Sequence, residues 1–255
     1  MNYVRLNKYE DIVVIGIARP EAFNALTREI VDEMDSLIES IKKDDQVKCL
    51  VLYSEKNFAA GADIKDMINC DEDEAEAFSF TPTFNKIEAL NIPVVAGIEG
   101  CALGGGLELA LTADIRIAGR HAKLGFPEIT LGIFPGAGGT VRAPRLVGEA
   151  VAKELIFTGK TISGEEAKEI GLVNQVVQDE DVYEATLTLA KRISKGAPVA
   201  LRAVKETIRA GRNEQDVIKA TKIEMQNWAR IFATEDQKEG MRAFIEKRKP
   251  QFNNK

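Results

Sequence analysis

Apolar residues along the first two-thirds of the chain fall into short β-branched runs, separated by stretches with helical spacing. Ile12-Val13-Val14-Ile15-Gly16-Ile17-Ala18, bounded by charge and proline, predicts a buried strand. Thr27 then caps a helix whose apolar positions, Ile30, Val31, Met34, Leu37, Ile38 and Ile41, make one continuous face. Lys48 to Ser54, Pro93 to Ile98, Asp114 to Ala118 and Val173 to Val177 predict further buried strands. Strands alternating with helices imply crossover connections and largely parallel sheets, hence an α/β fold.

Ser163-Gly164-Glu165-Glu166 is a capping box, and Gly171 closes the short helix it opens. The composition shifts at Lys195-Gly196-Ala197-Pro198, after which everything reads helical: Val199 to Ala210, Glu214 to Phe232, and Glu235 to Lys249 behind the cap Thr234. The expected organisation is an α/β core over residues 1–195 and a helical annex over 196–255. The acidic run Asp71-Glu72-Asp73-Glu74 reads as a solvated segment opening a helix.

Composition narrows the function classes. The chain has 255 residues, 45% of them hydrophobic, and a net charge of −6. That is globular, and the sign disfavours a protein whose main task is gripping nucleic-acid phosphates. The longest apolar stretches fall short of the ~18 residues that a membrane span needs. The first ten residues show no apolar signal core, which implies the cytoplasm, or an organelle matrix after loss of a transit peptide. Three well-separated cysteines, Cys49, Cys70 and Cys101, suggest no disulfide framework and read as small buried hydrophobes. His121 is the only histidine, which excludes a multi-histidine metal site. It reads as a hydrogen-bonded surface or loop residue.

Three small-residue loops carry the candidate chemistry. Asn57-Phe58-Ala59-Ala60-Gly61-Ala62-Asp63 follows a strand, leaves backbone amides accessible and ends in Asp63, a helix cap. Gly97 to Gly106 follows another strand and opens a helix, where free N–H groups and the helix dipole can stabilise an oxyanion. Pro135-Gly136-Ala137-Gly138-Gly139-Thr140 precedes a third helix. Neither of the latter two fits the dinucleotide fingerprint, because Leu109 and Val141 occupy the third glycine position. Glu108, in the first turn after Gly104-Gly105-Gly106, sits where the dipole favours its anion. Glu128 follows Phe126-Pro127 in an apolar setting that favours the acid form. Two carboxylates in different environments suit general acid–base catalysis.

Together these blocks resemble the enoyl-CoA hydratase/isomerase, or crotonase, superfamily, from Ile12 to Phe252. The resemblance rests on Phe58-Ala59-Ala60-Gly61-Ala62-Asp63-Ile64-Lys65, Ala102-Leu103-Gly104-Gly105-Gly106-Leu107-Glu108, Gly125-Phe126-Pro127-Glu128, the Pro135–Thr140 block and the tail Phe244 to Lys249. It implies a spiral of ββα units with a C-terminal helical region that packs trimers or hexamers. It implies that the Ala62 and Gly105 amides form an oxyanion hole, that Glu108 activates water, that Glu128 delivers a proton, and that Gly136 lies near the water. Lys56, Ala60 and Lys65 would contact coenzyme A, while Phe244 and Lys247 would reach the coenzyme of a neighbouring subunit. Coenzyme A would be part of the substrate, with no separate cofactor, no metal, no nucleic acid and no membrane partner. The activity implied is reversible hydration of a trans-2-enoyl-CoA. The alternatives are Δ3-Δ2 isomerisation, hydration of a branched, aromatic or cyclic acyl-CoA, and, remotely, a non-enzymatic RNA-binding relative. Phe126 stands where the family often has glutamine, Leu124 where it often has phenylalanine, and Glu21 where a lysine often contacts the coenzyme. These departures bear on acyl preference, as does the Met67 to Phe84 segment expected to line the acyl pocket.

Overall fold

A computed structural model describes residues 3–254. Strand β1 (Val4–Tyr9) turns at Glu10-Asp11 into β2 (Ile12–Ile17), and α1 (Arg28–Lys42) leads to β3 (Cys49–Tyr53). The small helices α2 (Ile64–Met67), α3 (Glu72–Phe78) and α4 (Thr81–Glu88) precede β4 (Val94–Ile98), β5 (Cys101–Leu103) and α5 (Gly105–Ala110). Next come β6 (Ile115–Gly119), β7 (Lys123–Gly125), a 3-10 turn (Pro127–Leu131), α6 (Gly139–Val147) and α7 (Glu149–Thr158). The α/β part ends with β8 (Thr161–Ser163), α8 (Gly164–Glu169), β9 (Gln175–Val177) and α9 (Val182–Ser194). Helices α10 (Pro198–Asn213), α11 (Val217–Ile231) and α12 (Glu235–Ile245) follow.

The strands form a six-stranded sheet in the order β1-β2-β3-β4-β6-β9 and a three-stranded sheet in the order β5-β7-β8. From β4 to β7 the chain gives one strand to the large sheet and the next to the small one, β4 then β5 and β6 then β7; β8 stays in the small sheet and β9 returns to the large one. Strands β2, β3, β4, β6 and β9 pair in parallel, as expected. Two pairings are antiparallel, β1 on β2 and β7 on β8.

Alternation explains the continuous apolar runs. Val13, Ile15 and Ile17 of β2 face a core shared with Ile30, Met34 and Ile38 of α1. Ile12 and Val14 face a second cluster with Val51, Val95 and Ala190 of α9. A sheet covered on both faces needs apolar residues at successive positions, not at alternate ones. Thr27 caps α1 by accepting from the Ile30 amide, and capping boxes at Asp71 and Ser163 open α3 and α8.

Some expectations are corrected. Helix α12 stops at Ile245 and not at Lys249, because Lys247 adopts a left-handed φ of 55°. Cys49 is buried, but Cys70 and Cys101 are only partly so. His121 is the exposed, hydrogen-bonded residue expected, its Nδ1 lying 2.8 Å from Asp179 Oδ2. Among the described residues no helix is long and apolar enough to cross a membrane, and no cluster of His, Cys, Asp and Glu is arranged to hold a metal.

Candidate active site

Two long-range backbone bridges bring the small-residue loops together. Ala59 bridges Ala102 of β5, and Leu26 bridges Ala62 in parallel. The Leu26 amide donates to the Gly61 carbonyl (2.8 Å), and its carbonyl accepts from the Asp63 amide (2.7 Å). In such a bridge the flanking residues take both bonds, so the N–H of Ala62 points the other way. Among the described residues it has no acceptor.

Opposite it stands the start of α5. Gly104 precedes this helix with φ 50°, ψ −124°, a conformation that glycine adopts without strain, and a Cβ there would lie 2.6 Å from Glu128 Oε1. Gly105 is the first helical residue, so its N–H has no intrahelical partner. A Cβ on Gly105 would lie 3.6 Å from the Ala62 nitrogen, so the two residues with open amides lie close together.

The carboxylates complete the cavity. Glu108 is 2% exposed. Its Oε1 accepts from the amides of Ala137 and Gly139, both at 2.7 Å. Burial nevertheless outweighs these donors and the nearby Arg142 charge, raising the Glu108 carboxyl above its ordinary value. Glu108 does sit in the first turn of α5, and beyond the dipole of that helix the groups that favour its anion come from the Pro135–Thr140 loop and α6. Glu128, on the 3-10 turn, is 9% exposed, and its Oε2 has no partner among the described residues. Burial, with the charge of Glu108 adding to it, pushes its carboxyl up to about 7.

One cavity of about 200 Å³ is lined by Ala60, Ala62, Gly105, Glu108, Glu128 and Gly136 among others. Its apolar wall includes Met67, Phe78 and Phe80, from the segment expected to line an acyl pocket, and Leu131, Ile133 and Phe134, which were not anticipated. Phe126 and Leu124 are fully buried in the core beneath it. Lys65, on α2, is exposed and does not line the cavity. Lys56 lines a different, polar cavity of about 350 Å³ with Arg5, Tyr53 and Tyr183. Phe244, 85% exposed, and Lys247 lie on the C-terminal segment and line neither cavity. Glu21 is exposed, 3.9 Å from Arg19.

Sequence reasoning missed the Ala137 and Gly139 donors, the Thr81 hydroxyl, which donates to the Gly136 carbonyl (3.1 Å), and Arg142. Arg142 did carry a signal: a cation in the first turn of a helix opposes the dipole and calls for a tertiary partner.

Two open amides close together beside two buried carboxylates can polarise a carbonyl and manage the protons of a water. The family model described as enoyl-CoA hydratase/isomerase matches residues 7–255. This chain belongs to the enoyl-CoA hydratase/isomerase family. A short-chain-enoyl-CoA hydratase of Clostridium acetobutylicum is 43% identical over 98% of this chain and 97% of its own length. A crotonyl-CoA hydratase of Syntrophomonas wolfei is also 43% identical, over 98% and 97%. The crystal structure of an enoyl-CoA hydratase from Bacillus anthracis superposes with a TM-score of 0.95 at 38% identity, covering 99% of this chain and 100% of that one. The two sheets and their alternating strands are thus the crotonase-type ββα spiral of this family.

Proposed function

We propose that this protein adds water reversibly to a trans-2-enoyl-CoA, giving the 3-hydroxyacyl-CoA. The observation that carries the proposal is the pair of buried carboxylates, Glu108 and Glu128, beside the open amides of Ala62 and Gly105. In an α,β-unsaturated thioester, attack at C3 moves charge onto the thioester oxygen. Two N–H donors aimed at that oxygen stabilise the enolate-like transition state, one such donor contributing about 3 kcal/mol. Glu108, held through Oε1 by two amides, takes the proton of the attacking water; the hydroxyl bonds to C3 and the C2=C3 π pair moves toward the carbonyl. Glu128, neutral up to about pH 7, delivers a proton to C2 as the C=O re-forms. An isomerase needs only one base to shuttle a proton, so the presence of both carboxylates supports hydration.

The same proposal makes coenzyme A the handle of the substrate, with no separate cofactor, and expects a cytoplasmic protein. Contacts to the coenzyme from Lys56, Ala60 and Lys65 belong to it. So do trimers or hexamers built through the 196–255 region, which bring Phe244 and Lys247 to a neighbour's site. The apolar surface of α11 and α12 supports the assembly: Ile218, Trp228, Phe244 and Ile245 are all exposed in the single chain. The test is a panel of acyl-CoA thioesters, from crotonyl to long-chain and cyclic, followed by loss of enoyl absorbance. Turnover of at least one trans-2-enoyl-CoA is expected; indifference to all of them overturns the proposal.

A further inference from the structure

Arg142, on the first turn of α6, is a buried cation for which the proposed chemistry has no direct use. Its side chain is 8% exposed. Its Nη1 donates to the Ala137 carbonyl (3.0 Å), its Nη2 to Asn85 Oδ1 (2.7 Å) and its Nε to Glu88 Oε2 (2.9 Å). Asn85 and Glu88 both belong to α4, and Glu88 Oε1 accepts in turn from Arg212 Nη2 of α10 (3.0 Å). The guanidinium fills the hollow of the turn, since a Cβ on Gly138 would lie 1.8 Å from Nη1.

The Ala137 contact has a consequence for Glu108. The peptide whose carbonyl Arg142 grips joins Ala137 to Gly138. It lies between the two peptides whose N–H groups, from Ala137 and Gly139, donate to Glu108 Oε1. Fixing the middle peptide fixes the direction of both donors. Helix α4 also holds the loop upstream, through the Thr81 hydroxyl on the Gly136 carbonyl.

We propose that Arg142, anchored by Asn85 and Glu88, is a positioning residue for Glu108: it sets the Ala137–Gly139 turn so that Oε1 is held and Oε2 is left to face water. This rests on the hydratase proposal above. The guanidinium acts on Glu108 electrostatically as well, lowering a carboxyl that burial raises. The charged groups facing Glu108 are Arg142 of α6 and Glu128 of the 3-10 turn; neither α5 nor β5 contributes another.

The test uses the full chain, with Arg142→Met, Arg142→Lys and Glu88→Gln. For each, kcat, KM, the pH profile of kcat/KM on crotonyl-CoA and the thermal melt are measured. Arg142→Met should lose roughly 10²-fold in kcat, the scale of a small misplacement of a catalytic group, with KM changed much less. Its acid limb should move to higher pH, because the charge favouring the Glu108 anion is gone. Arg142→Lys should keep the acid limb but still lose rate, because an ammonium cannot reproduce the planar fork between Ala137, Asn85 and Glu88. An Arg142→Met enzyme with parental kcat, with its loss confined to KM, or with an unmoved acid limb overturns the inference. Should the Arg142 variants not fold, Glu88→Gln decides: a several-fold fall in kcat at steady KM supports the role, and parental kcat overturns it. A parent enzyme that turns over no enoyl-CoA overturns the hydratase proposal itself, a result distinct from turnover that is indifferent to Arg142.

Discussion

Replacing Gly105 by proline removes one amide donor from the cavity and leaves the surrounding hydrogen bonds in place. Gly105 is the first residue of α5, where a helix makes no use of the N–H and the fixed φ of proline fits. Gly104 before it has ψ −124°, outside the helical region that a residue preceding proline must avoid. A Cβ at 105 meets Leu26 Cδ1 at 3.6 Å and Phe80 Cε2 at 3.7 Å, ordinary contact distances, so the fold should tolerate the ring. The same Cβ stands 3.6 Å from the Ala62 nitrogen and crowds the place of the oxyanion, so Gly105→Ala is the necessary control. It adds the methyl and keeps the donor. Losing one of two donors in a buried site costs about 10²–10³ in kcat, or roughly 2.7–4 kcal/mol. That is therefore the expected ratio of kcat for Gly105→Ala over Gly105→Pro on crotonyl-CoA, measured by loss of enoyl absorbance on proteins of equal melting temperature. A folded Gly105→Pro enzyme working at nearly the rate of Gly105→Ala would refute the oxyanion assignment.

Glu108→Gln and Glu128→Gln should each lower kcat at least ~10²-fold with a smaller change in KM, since proton transfer acts in the transition state; near-parental hydration by either variant removes that residue from the acid–base pair. Glu128 makes stability depend on pH. Its folded carboxyl titrates near 7, above the ordinary ~4.3, so the contribution is full below the lower value and is lost as pH rises through the higher one. Melts of Glu128→Gln and the parent should therefore diverge in favour of the variant between pH 5 and pH 8, and a constant difference would contradict the burial argument. Phe244→Ala combined with Lys247→Ala should raise KM for acyl-CoA while kcat holds, because Phe244, 85% exposed in the single chain, would reach a neighbour's coenzyme and lines no cavity of its own chain. A parental KM, or native mass measurement showing a fully active monomer, would count against a coenzyme site completed by a neighbour.

What was legible in the chain, and what was not, follows from how far each residue's partners lie. Strands β2, β3 and β4 are covered on both faces, so burial writes itself as an unbroken apolar run that needs no knowledge of neighbours, whereas β6 breaks its run at Arg116, buried and donating to the Leu172 and Ala113 carbonyls. Strand β1 leaves no such run, because Val-Arg-Leu-Asn-Lys-Tyr is mostly exposed, and its turn at Glu10-Asp11 carries none of the Asn-Gly or Asp-Gly chemistry that marks a hairpin. Strands β5, β7 and β8 are three residues each, too short to show a period, yet β5 carries the loop that aims Gly105. The site shows the same division. Each small-residue loop explains itself as a turn when taken alone, and only the Leu26–Ala62 and Ala59–Ala102 bridges make two of them face one another. Glu108 shows where local reasoning ends. Its sequence neighbourhood offers a helix dipole, but the hydrogen bonds that hold it come from residues 29 and 31 positions away. The desolvation that raises its carboxyl comes from the packed core around it. A helix N-terminus in water favours an anion by less than burial disfavours it, so a first-turn glutamate flanked by glycine, leucine and alanine is better read as a candidate proton carrier than as a dipole partner.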